Sequence, residues 1–459
     1  MNELFLSAPE SLRKVNLRAS HQGLMYEGPL LVRRRPEQDC DHVDIRCRAT
    51  RVSTMTALDE NQAAVHNFPM RRQCPFAPAA EYAELREQGS LARVLLPSGQ
   101  QAWVVTRYDE VQRVLAHPQI STDITRPGFP ELTSAPDAER YQLFEGEFFN
   151  MDSPEHDIYR RMLIPEFSFK RIKALRARIQ AMIDELLDTM LAAGPPADLA
   201  EAFALPVASL GICQLLGIPY EDHRFFQSRV RTRKIEASED MLAPVAELRG
   251  YTDDVITRAE REPGDNLIGR LVTQRVLTGE ITHNAAVGMV LQLLIAAHET
   301  TSNMIMLGTL TLLRHPDQLT ELRADPALWP GAVDELLRYH SVADGPTFAR
   351  IALGDIEIGD QVIRAGDAVF ALCASANHDE RAFARAGEFD IHRSAGNHLA
   401  FGYGVHQCIG QNLARAWLES SYETLFRRVP TLRLNAEVED LSFKYDAAIF
   451  GLDEFPVTW

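Results

Sequence analysis

Between Asn284 and Arg314 the chain runs NAAVGMVLQLLIAAHETTSNMIMLGTLTLLR without a proline. At about 1.5 Å rise per residue, a helix over these positions spans roughly 45 Å, well beyond the usual globular helix. A segment so long and apolar needs either a large core or a bilayer. Its apolar run is interrupted by Gln292 and by His298-Glu299-Thr300-Thr301-Ser302-Asn303, so it falls short of the ~20 residues that a membrane span requires. The expectation is a buried central helix in a helix-rich body.

The polar interruption carries information. A carboxylate among hydroxyls inside an apolar helix is costly unless partnered. Two readings stand on this segment alone: one exposed stripe, or an acid–hydroxyl pair facing an internal pocket, with Thr300 exchanging hydrogen bonds and Glu299 reaching water. His298-Glu299 hints at a zinc helix, but HExxH needs a second histidine where Ser302 stands. A zinc protease is excluded.

Elsewhere the pattern is mainly α with a small β region built from distant segments. ARVLL and QAWVVTR flank PSGQ and read as a hairpin over Ala92–Arg107. A long loop follows over Gln119–Phe149. Helical stretches come next at Pro154–Phe167, Arg171–Ala193, Ser209–Leu216, Pro244–Arg261 and Leu267–Gly279. Strands return between Thr347 and Ala374, turning at Gly359-Asp360 and Ala365-Gly366-Asp367. Residues 1–54 lack a sustained period. They read as a flexible extension or an upstream misassigned start ahead of Met55, with the main domain over 55–459.

Composition narrows the partners. A net charge of −17 argues against nucleic acid, which needs a basic face. Six cysteines with no CxxC pair give no disulfide scaffold or zinc motif. The opening MNELFLSAPESLRK lacks a signal-peptide pattern. A soluble cytoplasmic monomer without a membrane anchor is expected.

Two further motifs stand out. In PGAVDELLRYH, Glu335 and Arg338 share a helix face at i, i+3. Such pairs are usually solvated, but Val333, Leu336 and Leu337 favour burial, where the pair needs more hydrogen bonds. Arg393 is a candidate third member. In HLAFGYGVHQCIG, Gly402, Gly404 and Gly410 bracket Cys408 just before the helical stretch QNLARAWLESSYETLFRR. Glycines permit unusual backbone angles and close approach, and a thiolate ahead of a helix start gains from the helix dipole. This loop is built around its cysteine.

FGYGVHQCIG resembles the haem-binding loop FGxGxHxCxG of the cytochromes P450. It follows AAHETT, similar to the family's central-helix AGxD/ETT, and ELLR, similar to its ExxR element. Thr300 and Arg338 lie 38 positions apart, and Arg338 and Cys408 lie 70 apart. The resemblance spans about residues 70–459, including the ending Glu454-Phe455-Pro456-Val457-Thr458-Trp459. It is closest to the soluble bacterial branch acting on secondary metabolites, sterol-like compounds and xenobiotics.

The resemblance implies the cytochrome P450 fold around a buried haem b, with Cys408 as the iron ligand. It places His156 and Arg160 (in MDSPEHDIYRR), Arg350 and His406 at the haem propionates. Thr300 and Glu299 take the proton-delivery positions, and Ala297 stands where many members have glycine, its methyl narrowing the groove beside oxygen. Substrate-pocket candidates are Leu293, Leu294, Ala296, Val342, Phe348, Ile449 and Phe450, with lids at Gln119–Phe149 and Phe225–Ala246. The implied reaction inserts one atom of O2 into a hydrophobic small molecule.

No GxGxxG follows a strand, so electrons are expected from a separate ferredoxin or flavodoxin with its reductase. Arg160, Arg161, Lys170, Arg171 and Lys173 offer such a donor a basic patch, or else form a solvated face. Two other readings share the cysteine loop. One is a peroxide-driven or isomerising haem-thiolate enzyme, which dispenses with the donor. The other is a haem sensor without turnover, which predicts loss of the acid–hydroxyl pair that this chain keeps.

Overall fold

Residues 66–132, 146–230 and 242–459 are described in the computed structural model of the protein, all within one unit. The segment 1–54 and parts of the two expected lids lie outside the described residues. The described part divides into a small sheet region and a larger helical body.

The hairpin expected around PSGQ forms from Leu91–Leu95 and Gln101–Val105, registered from Leu91 opposite Val105 to Leu95 opposite Gln101. Its second strand then pairs in parallel with Ala368–Ala371, Ala102 facing Ala368. That strand pairs antiparallel with Ala349–Ala352. Short edge strands at His66–Asn67 and Ile120–Ser121 complete a six-stranded sheet. Segments far apart in sequence therefore share one sheet. Ile120–Ser121 and the 3-10 turn Phe148–Asn150 fall inside the stretch expected to be loop. Two or three residues are too short to show a period.

The helical body is organised by the central helix, His283–Arg314. Thr282 caps it, its hydroxyl accepting from the Ala285 amide at 3.0 Å. The helix is buried on nearly all sides, as expected of a helix through a core rather than on it. It packs against the helices Leu205–Leu216, Leu242–Arg261, Gln411–Arg428 and Trp329–His340. Among the described residues, no helix is long and apolar enough to cross a membrane.

Part of the polar interruption is explained by this packing. His298 is fully buried, its Nδ1 3.1 Å from Ser209 Oγ on the Leu205–Leu216 helix. Ser302 turns its hydroxyl back to the Glu299 carbonyl at 3.2 Å. These two residues serve helix contacts. Upstream, the expected helix over Leu267–Gly279 is α-helical only to Leu271 and continues as a π-turn over Val272–Val276.

The Glu335–Arg338 pair lies on the helix Trp329–His340, both side chains fully buried. Arg338 grips the carboxylate with two hydrogen bonds of 2.7 and 2.8 Å and donates onward to the carbonyls of Asn377, Ala386 and Glu388. Glu335 also accepts from Arg393 Nε and from the Asp390 amide, each at 3.1 Å. These extra partners are what a buried ion pair needs to offset its desolvation. The network fastens the helix to the loop that leads into the cysteine segment.

Candidate active site

The cysteine loop owes its path to two glycines. Gly402 and Gly404 have φ of +68° and +74°, the left-handed region that side chains rarely adopt. At Gly404 a Cβ would also lie 2.7 Å from the Leu115 carbonyl oxygen. The loop then makes a 3-10 turn over Gly404–His406, and the Cys408 amide donates to the Phe401 carbonyl at 2.8 Å. Cys408 sits partly exposed at the entrance to the helix Gln411–Arg428, whereas Cys213 and Cys373 are buried. Burial of the sulfur pushes the Cys408 thiol up; the Gly410 amide, Arg160 and Arg415 pull it down.

Four nitrogen-rich side chains gather around this loop. His156 comes from the helix Glu155–Leu163, and its ring centroid lies 4.1 Å from that of His406. Its Nδ1 pairs with Asp157 at 3.0 Å, while its buried Nε2 has no hydrogen-bond partner in the protein. Arg160, one turn later, donates through one nitrogen to the Gln407 carbonyl; its other terminal nitrogen is buried and unpartnered. Arg350, on the strand Ala349–Ala352, donates to the Ala349 carbonyl at 2.7 Å, and desolvation lowers it to about 10.

His406 is pushed down to about 3, first by burial and then by the neighbouring charges of His156, Arg350 and Arg160. Its Nε2 lies 3.3 Å from Thr122 Oγ1. The four groups therefore feel one another across one site.

The central helix has one open stretch. From Ala285 to Leu312 every residue is buried except Ile295, Ala296, Ala297 and Thr300. These four fall on about one turn of the helix, a local opening in an otherwise sealed element. The Thr300 hydroxyl donates to the Ala296 carbonyl at 2.7 Å. Leu293 precedes this stripe on the same face and is 5% exposed, whereas Leu294 is completely buried in the helical core.

Val342 and Phe348 are each 8% exposed, Phe450 is 5% exposed and Ile449 is half-buried. The Phe450 amide donates to the Val342 carbonyl at 2.9 Å, and Ile449 bridges Ala343. This joins the two apolar segments.

Sequence reasoning missed three participants. Lys444 Nζ lies 3.1 Å from Glu299 Oε1. Arg415 bonds Asp334 at 2.7 Å and lies over the Phe401 ring at 4.8 Å, bracing the cysteine loop from beneath. Thr122 reaches His406. Each is a common residue in an unremarkable stretch, and only the fold brings it to the site.

The residues fit a haem. A cysteine residue still partly exposed, two unpartnered buried nitrogens on His156 and Arg160, and two further basic side chains match one iron and two carboxylates. A metal cation at the sulfur reverses the effect of burial on it, because coordination deprotonates a thiol.

Comparison with known proteins decides the family. A cytochrome P450 of Streptomyces carbophilus, 105A3, is 46% identical over 395 residues, covering 85% of this chain and 95% of its own. This chain belongs to the cytochrome P450 family. The family model described as Cytochrome P450 matches residues 328–429, which hold the Glu335–Arg338 pair and Cys408.

Pentalenic acid synthase of Streptomyces avermitilis is 46% identical, with coverage of 88% and 100%. The crystal structure of mycinamicin VIII C21 methyl hydroxylase of Micromonospora griseorubida, bound to mycinamicin VIII, superposes with a TM-score of 0.82 at 43% identity. It covers 86% of this cytochrome P450 and 100% of that chain. The fold is that of the family, and the enzyme is an oxidoreductase of its monooxygenase class.

Proposed function

We propose that this cytochrome P450 hydroxylates or epoxidises a hydrophobic small molecule, a secondary metabolite such as a macrolide, terpenoid or sterol-like compound. It takes electrons from a separate ferredoxin or flavodoxin with its reductase, and works in the cytoplasm as a monomer. The observation that carries the reading is the meeting of His156, Arg160, Arg350 and His406 beside Cys408. Haem b, when bound, supplies reductive activation of O2, and a thiolate ligand favours O–O cleavage.

The chain's own residues do the rest. His156, Arg160, Arg350 and His406 hold the propionates. Thr300, its proton directed to the Ala296 carbonyl, presents its oxygen as an acceptor, and Glu299 supplies the charge beside it. Ala297 and Ala296 narrow the open turn of the helix. Leu293, Val342, Phe348, Ile449 and Phe450 exclude water and select an apolar substrate. Relatives named mycinamicin VIII C21 methyl hydroxylase and vitamin D3 dihydroxylase support hydroxylation of a large carbon skeleton. Exposed Arg161, Lys170 and Lys173 interleave with exposed Ile164 and Phe169; an acidic donor suits this surface.

A screen of apolar compounds by haem spin-state shift, followed by product analysis, tests the reading. A compound that shifts the spin state is expected to gain one oxygen atom when NAD(P)H, ferredoxin and reductase are all present. Equal turnover with hydrogen peroxide alone contradicts it and favours the peroxide-driven alternative.

A further inference from the structure

The last hairpin of the chain is fastened to the central helix at two successive turns. A bridge between Phe443 and Leu452 closes its base, and the Lys444 amide donates to the Gly451 carbonyl at 2.9 Å. From this base the Lys444 ammonium reaches Glu299 Oε1 at 3.1 Å, the two side chains being only 11% and 8% exposed. One helical turn beyond Glu299, the fully buried Asn303 fills the space beside Gly451. A Cβ on Gly451 would lie 2.0 Å from the Asn303 amide carbon, so the backbone comes this close only because the residue is glycine. Ile449 and Phe450 sit in the same hairpin and are tied to Ala343 and Val342. One short element thus touches both the acid and the apolar pocket wall.

Charge and geometry give Lys444 a specific effect here. A buried ion pair adds little net stability, because desolvation offsets most of the attraction. A charge-assisted hydrogen bond is nevertheless short and directional, so it settles where a flexible glutamate points. Thr300 leaves the helix about 100° further round and is turned to Ala296. The direction of Glu299 therefore depends on a residue 145 positions away.

We propose that Lys444 is the positioning residue for Glu299, fixing the direction of its carboxylate from the base of the hairpin that also carries Ile449 and Phe450. This rests on the reading that Glu299 and Thr300 conduct protons. Lys444 acts through Glu299 in this proposal, by the 3.1 Å contact to its carboxylate.

The experiment uses holoenzyme of the wild type and of Lys444→Met, Lys444→Gln, Lys444→Arg and Glu299→Gln. Infrared difference spectra of protein labelled with 13C-glutamate identify the Glu299 carboxylate band by its loss in Glu299→Gln. In parallel, peroxide release and its solvent deuterium isotope effect are measured with electrons from a plant-type ferredoxin and its reductase. The band is expected to shift in both Lys444→Met and Lys444→Gln, with peroxide release rising at least threefold. Lys444→Arg is expected to restore both readouts. A Glu299 band that stays in place in both neutral variants overturns the proposal, whatever happens to turnover, because a merely structural lysine leaves that band where it was. If Glu299→Gln leaves peroxide release and its isotope effect unchanged, the proton-conduction reading fails instead, and the infrared result still decides whether Lys444 directs the carboxylate.

Discussion

The imidazole rings of His156 and His406 meet at 4.1 Å, although one begins the second third of the chain and the other lies two residues before Cys408. Burial lowers both, and each is pushed further by Arg160. Four nitrogen-bearing side chains converge here, and the one carboxylate bonded to them, Asp157, takes only His156 Nδ1, which leaves the arrangement suited to an anion. The buried, unpartnered nitrogens of His156 and Arg160 are the contacts we propose for a pair of propionates, His156 donating from Nε2 once the anion draws a second proton onto its ring.

Removing one of these donors weakens the hold on haem. A hydrogen bond to a charged group contributes about 1.5–3 kcal/mol, so His156→Ala and Arg160→Ala are each expected to speed haem loss roughly 10- to 100-fold. Transfer of haem to excess apomyoglobin measures this. An unchanged rate in both variants removes them from the propionate site.

The Glu335–Arg338 network makes a prediction about stability. Breaking a buried pair by removing one partner typically costs about 3–5 kcal/mol. Glu335→Gln is expected to fall near the lower end, since it keeps the shape, and Arg338→Met near the upper end. Urea unfolding of each variant, and of the double variant, reads the coupling. The double variant is expected to be less destabilised than the sum of the two.

Acid sensitivity follows from two histidines. His340 and His378 are both lowered to about 3, chiefly by burial. Their folded values lie below the unfolded ~6.5, so the unfolded chain binds these protons first. Stability is full above ~6.5 and is lost as pH falls toward 3. Each histidine accounts for about 2 kcal/mol between pH 7 and pH 5. Urea midpoints across that range are expected to decline, and His378→Gln is expected to flatten the slope. The same acid slope in that variant contradicts the assignment.

Gly451→Ala is expected to destabilise by about 1–3 kcal/mol through overpacking against Asn303. Adding Asn303→Ala is expected to recover most of the loss. Thermal unfolding of the two single variants and the double variant measures this.

Much of the architecture is readable in the chain because it rests on local pattern. The central helix, the PSGQ hairpin and the helix after Cys408 each follow from periodicity or turn chemistry. The glycines around Cys408 announce a constrained backbone. Other features depend on tertiary placement. His298 reads in sequence as one member of the polar interruption, and only the fold shows that it packs on Ser209. Leu294 reads as pocket lining by its neighbourhood, but the helix turns it into the core. Lys444 carries no local mark at all; its partner lies on another element, and only the closed hairpin reveals it.

The thiolate at Cys408 is the centre of this account, and the reduced carbon monoxide spectrum tests it most directly. The wild-type holoenzyme is expected to show a Soret band displaced to the red, and Cys408→Ser to lose that displacement while still binding haem. A wild-type spectrum without that displacement, or a Cys408→Ser spectrum identical to it, contradicts the assignment of the sulfur as the iron ligand.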